Sequence, residues 1–235
     1  MIRLVTFPPA FGLPTITPFG LKIETYLHLA KIPFERVAET NPRKGPKGKL
    51  PFLIDDHRVI GDSEHIIEYL DEKFDYPIAV PADPGRRAVL HALRRMLEES
   101  FYWVLLWSRW MDDSNWPSLR AEGFRDLSAP LRLVVPSLAR AMIRKQLCAQ
   151  GYGRHTRDQI YRIGLDDLDA VSRLLGAAPY LGGDVPTVVD ATTYAFLANV
   201  LLVPLPSPLK DRADSLDNLV AYTERMRALC FPPQD

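Results

Sequence analysis

Two short runs carry residue types that can do chemistry. The first is Lys49-Leu50-Pro51-Phe52-Leu53-Ile54, an apolar strand opened by a proline. The second begins eight residues after Ile54, where Asp62-Ser63 opens a helix. Pro51 has no N–H for a sheet ladder, and X-Pro is the one kind of bond where cis costs little. A cis bond there turns the Leu50 backbone outward. Ile66, Ile67, Tyr69, Leu70 and Phe74 give the helix after Asp62-Ser63 one apolar face. Its first turn presents free N–H groups and partial positive charge, which suits a carboxylate. Ser63 adds a hydroxyl donor and Asp62 an acceptor for an ammonium. Taken alone, the same two residues also read as an ordinary helix cap.

The elements that must hold these runs follow from spacing. Ile2 to Phe7 reads as a strand, and Pro18 to Ala30 as a helix with Phe19, Ile23, Tyr26, Leu27 and Ala30 on one face. Phe34 to Glu39 reads as a second strand, and Thr40 to Gly48 as a loop with room for a helical turn. A strand pair turning at Asp55-Asp56-His57-Arg58 and a helix to Lys73 complete the unit. From Arg86 the apolar spacing is helical, with helices expected over 86–111, 117–150, 156–175, 187–203 and 215–229, the second broken near Pro130 or Pro136. Thr187 and Asp190 have the spacing of a capping box, a folding device.

Composition narrows the function classes. The chain has 235 residues, 47% hydrophobic, and zero net charge, so nothing in its electrostatics points to nucleic acid or an anionic membrane surface. It opens directly into a strand, without a charged leader and apolar signal core, and the expected location is cytoplasmic. The apolar stretch Ala191 to Leu209 is interrupted by Asn199, Pro204, Pro206 and Pro208, which predicts a buried core helix and no membrane insertion. Cys148 and Cys230 lie outside any metal-ligand spacing and are expected as buried thiols, with neither disulfide nor metal.

The Leu50-Pro51 and Asp62-Ser63 runs at this spacing resemble the glutathione-binding half of the glutathione S-transferase superfamily. Phe11-Gly12-Leu13-Pro14 leading into Thr17-Pro18-Phe19-Gly20, then Tyr152-Gly153-Arg154-His155, Gly164-Leu165 with Asp167-Leu168, and the Thr187 cap resemble its Fax and metaxin-like branch. The resemblance implies an α/β plus all-α architecture. A thioredoxin-like glutathione-binding domain spans 1–77, a linker 78–85, and a C-terminal helical bundle 86–235 that contributes the electrophile pocket. Glutathione, the co-substrate, is then held by Leu50, Pro51, Asp62, Ser63 and Lys49. By position Thr17 takes the place of the family's catalytic Ser or Cys; Thr15 and the backbone N–H groups of the Gly12 to Pro18 loop are the alternatives. Phe7 stands where other members carry a Tyr and has no hydroxyl, and the absence of cysteine at Thr17 and Gly20 argues against thiol exchange. Phe11, Tyr102, Trp103 and Trp107 are the expected pocket for a small, apolar electrophile. A structural role is expected for Arg154 and His155. The resemblance further implies a homodimer. The competing reading is a non-catalytic, metaxin-like interaction or scaffold protein.

Overall fold

The computed structural model describes residues 1–232, so the last three positions of the expected 86–235 unit lie outside it. The N-terminal elements are β1 (Ile2–Thr6), α1 (Pro18–Leu29), β2 (Phe34–Ala38), β3 (Phe52–Asp55), β4 (Arg58–Gly61) and α2 (Ser63–Lys73), with a short 3₁₀ turn at Pro42–Lys44. The sheet order is β2-β1-β3-β4, with β1 parallel to β2 and antiparallel to β3. Alternation along the strands divides its two faces. Ile2, Leu4 and Leu53 pack with Ile23, Tyr26, Leu27, Ile66 and Leu70 of the two helices, whereas Val5, Phe52 and Leu50 cluster together away from them.

The rest is helical: α3 (Pro84–Met96), α4 (Tyr102–Trp110), α5 (Trp116–Gly123), α6 (Ala129–Gln150), α7 (Arg157–Leu175), α8 (Val188–Leu201), α9 (Pro208–Asp214) and α10 (Asp217–Cys230). The helix expected over 86–111 is interrupted by a π-helical turn at Leu97–Phe101 joining α3 to α4. The helix expected over 117–150 is two helices. Pro130 sits in the first turn of α6, where a missing N–H breaks no bond, and Pro136 is carried inside that helix. α9, in a proline-spaced stretch, has too few residues to announce itself by periodicity. No helix among the described residues is long and apolar enough to cross a membrane. Both cysteines are free, but Cys148 is exposed, contrary to expectation, because most of α6 faces solvent.

α1 departs most from its amphipathic reading. It lies between the sheet and α8, and from Gly20 to Leu27 every residue is buried. Leu13 and Leu21 belong to the large helical core while Ala191 of α8 joins the sheet core, so the two cores interlock across α1. A helix with no wet face must pair its charges internally. Glu24 is bound by Arg36, and Lys22 turns toward α2 and the π turn.

Candidate active site

The Leu50-Pro51 bond is cis. Leu50 is buried against Val5 and Phe52, whereas Lys49 is exposed. The preceding loop folds tightly: a β-carbon at Gly45 would meet the Lys49 carbonyl oxygen at 2.0 Å, so only glycine fits beneath this turn.

Asp62 and Ser63 separate into two roles. Asp62 is exposed, caps α2 by accepting from the Glu64 N–H at 3.0 Å, and sits at φ 86°, a left-handed conformation rare outside glycine. Ser63 is buried, and its Oγ accepts from the Lys22 ammonium at 3.4 Å. Lys22 Nζ also donates to Glu98 Oε1 at 2.6 Å and Glu64 Oε2 at 3.3 Å, and Arg94 pairs with Glu64. Burial pushes Lys22 below its ordinary pKa while Glu98 beside it pulls the other way. An ammonium can only donate, so the Ser63 oxygen must accept, and its own proton is left to donate elsewhere at a helix start.

Thr17 has the same arrangement. It is the N-cap of α1, its Oγ accepts from the Gly20 N–H at 3.1 Å, and no acceptor for its proton is present among the described residues. Thr15 is different: it is fully buried, and its hydroxyl is 3.0 Å from that of Thr6. That pairing lies in the interior, with both threonines fully buried. It also accounts for Gly20, where a β-carbon would lie 2.3 Å from Thr6 Oγ1 and 2.9 Å from Thr15 Cγ2. Just ahead of Thr17, the Ile16 carbonyl accepts from Arg109 Nη1 at 2.9 Å.

The four aromatics expected to line a second pocket have different neighbours. Phe11 and Gly12, both left-handed, form a tight turn closed by hydrogen bonds between Ala10 and Leu13. Phe11 borders a cleft of about 380 Å³ with Pro9, Leu13, Pro14, Glu122 and Arg125, and its N–H donates to Glu122. Tyr102 instead packs edge-on against Phe19 of α1 at 5.0 Å and against Trp103 at 5.2 Å. Trp107 turns to Tyr161 of α7 at 5.6 Å. Tyr102 is therefore the aromatic of the four that the structure brings to α1.

Arg154 donates to the Cys148 carbonyl at 3.1 Å, and the His155 ring lies 6.4 Å from that of Tyr152. The neighbouring Tyr152 hydroxyl is 2.9 Å from Ser100 Oγ in the π turn, and Ser100 donates to Asp167 at 2.8 Å. Burial lifts Asp167 to about 6. Asp190 accepts from the Thr187 N–H at 2.7 Å, the Leu181 N–H at 2.8 Å and the Tyr222 hydroxyl at 3.1 Å, which ties the start of α8 to α10. Sequence reasoning did not single out Lys22, Arg94, Glu98 or Arg109. The available signal was a charge inside an apolar run, as for Lys22 between Phe19 and Ile23 and for Arg109 among tryptophans. Among the described residues no group of His, Cys, Asp or Glu is placed to hold a metal.

Comparison with known proteins is consistent with this geometry. Residues 18–115 match the glutathione S-transferase N-terminal domain profile, and residues 164–226 the C-terminal domain profile. The chain is 31% identical to the isoprene-epoxide glutathione S-transferase of Rhodococcus sp. (strain AD45), over 97% of this chain and 98% of that one. It is 30% identical to failed axon connections of Drosophila melanogaster over its whole length, covering 59% of that protein. It is 27% identical to metaxin-1 of Macaca fascicularis over 98% of this chain and 75% of the relative. The β-etherase LigF of Sphingobium sp. strain SYK-6 superposes with a TM-score of 0.69 at 21% identity, covering 97% of this chain and 95% of that one. With a relative of that identity across nearly its full length, and with homologues among the failed axon connections and metaxin proteins, the chain belongs to the glutathione S-transferase superfamily.

Proposed function

We propose that the chain is a glutathione-dependent transferase that holds the tripeptide along Leu50-Pro51 and at Asp62-Ser63, and that the Thr17 hydroxyl donates to the glutathione sulfur. One observation carries this reading: both Ser63 and Thr17 accept from the protein, through Lys22 and the Gly20 N–H, and so each keeps its proton for a ligand. At Ser63 that donor sits with the free N–H groups of α2 and suits the γ-glutamyl carboxylate; Asp62 suits the ammonium. At Thr17 the donor sits at the positive end of α1 and suits a thiolate. Lys49, exposed beside Leu50, borders the same backbone. The substrate is a small electrophile entering between α1 and α4 beside Phe19 and Tyr102, with Trp103, Trp107 and Phe11 further from the sulfur. The active species is proposed to be a homodimer, which sedimentation at micromolar concentration tests.

Calorimetric titration with glutathione followed by turnover of a panel of electrophiles, epoxides included, tests the reading. Ser63→Ala removes a donor to a charged group, worth about 1.5–3 kcal/mol, so affinity should fall roughly tenfold or more. A wild-type protein without saturable glutathione binding at millimolar concentration would instead favour a non-catalytic interaction protein.

A further inference from the structure

Arg109 is a charged side chain with no counter-ion among the described residues. It lies near the end of α4, buried, and donates to three oxygens: the Ile16 carbonyl at 2.9 Å, the Asn199 carbonyl at 2.7 Å and Asn199 Oδ1 at 2.8 Å. All three are neutral. Burial lowers the guanidinium to about 10, which still leaves it a cation at neutral pH, and the ionisable group bearing on it is the Tyr102 phenol. The other charges near α1 have partners. Lys22 and Arg94 face Glu64 and Glu98, two cations against two carboxylates. Asp62 is exposed with Lys47 at 3.9 Å, and Asp112 beyond the end of α4 is taken up by Tyr161, Ser114 and Arg157.

A neutral donor such as glutamine would reach carbonyl oxygens without the cost of desolvating a guanidinium. A charge retained at that cost, hydrogen-bonded to the carbonyl of the residue immediately before Thr17, has a use if an anion forms next to it. We propose that Arg109 is a positioning residue for thiol activation: its unpaired guanidinium fixes the Ile16-Thr17 peptide and supplies the positive potential under which a thiol bound at Thr17 gives its proton to solvent. This rests on Thr17 as the sulfur's donor.

The test is ultraviolet thiolate absorbance of bound glutathione against pH for the wild type, Arg109→Gln and Arg109→Lys, with calorimetric affinity and thermal unfolding measured alongside. Arg109→Gln should raise the bound thiol's pKa by about one unit or more, a tenfold fall in the thiolate-to-thiol ratio, while glutathione affinity changes by no more than about threefold. Arg109→Lys, which keeps the charge and loses the fork, should stay within about half a unit of wild type. A folded Arg109→Gln that titrates like wild type overturns this assignment alone. If the glutamine variant does not fold, a lysine variant whose thiol pKa rises by about a full unit overturns it. An unshifted thiol in the wild-type complex overturns both this assignment and the Thr17 reading.

Discussion

Lys22→Met is the most informative single perturbation, because one ammonium serves both the fold and the site. In the wild type Lys22 Nζ lies 2.6 Å from Glu98 Oε1, with both side chains buried. Methionine fills much of the lysine stem's volume and removes the charge. Breaking a buried ion pair from one side costs about 3–5 kcal/mol, because the surviving charge is left in a poor dielectric. Arg94 stays 3.9 Å from the other Glu98 oxygen and shares that charge, which places the expected cost at the lower end, about 3 kcal/mol. For a domain with a total stability of about 5–15 kcal/mol this is a large fraction, and it should lower the urea midpoint by roughly 1 M or more. Pairing it with Glu98→Gln removes the orphaned charge and should recover about 2 kcal/mol, read as a coupling energy in a double-mutant cycle. Glutathione affinity should fall in Lys22→Met, since the Ser63 hydroxyl loses the donor that orients it, and should not return in the double variant. A single variant costing under about 1 kcal/mol, or a cycle additive within about 0.5 kcal/mol, would refute the reading of Lys22 and Glu98 as a stabilising buried ion pair.

Three further outcomes can be checked. Thr17→Val keeps shape and removes the proton donor, so the bound thiol's pKa should rise by about one unit while Thr17→Ser stays near wild type; equal titration curves would move the role to the loop's N–H groups. Asp167, raised to about 6 by burial, stabilises the fold below the carboxyl's unfolded pKa, and that contribution is lost as pH rises through about 6. Asp167→Asn should therefore flatten the fall in unfolding free energy between roughly pH 4 and 6, measured by urea titration at each pH. Gly164→Ala places a β-carbon 2.6 Å from Leu209 Cδ2 and 2.8 Å from Val104 Cγ1, forcing α7 off its neighbours, and should cost about 1–3 kcal/mol in the same assay.

The sheet, α2, the Thr187–Asp190 device and most of the long helices were legible in the sequence because each is written locally, as an alternation, a 3.6-residue stripe or a cap. Leu50-Pro51 and Asp62-Ser63 were legible for the same reason: each is a short run whose chemistry needs only its neighbours. What stayed hidden depends on partners far along the chain. Lys22 and Glu98 are separated by 76 positions, and neither announces the other. Thr15 stood as an alternative to Thr17, and nothing in its local sequence shows the pairing with Thr6 that places it in the interior. Tyr102 and Trp107 lie five positions apart on α4, about 140° round the helix at 3.6 residues per turn, and so turn to different neighbours, Phe19 and Tyr161, which only the packing of α1 and α7 identifies.

The seal formed by Thr6, Thr15 and Gly20 also governs the order in which this chain could change its chemistry. Gly20→Cys as a first step drives a β-carbon to 2.3 Å from Thr6 Oγ1. Thr6→Ala as a first step relieves that contact but strands the Thr15 hydroxyl in the interior, and Thr15→Val does the same to Thr6. Every single substitution thus passes through a less stable protein, although the complete set of three could pack without conflict. A lineage carrying this seal is held to glycine at position 20 by the order of accessible steps, whatever residue stands at position 17.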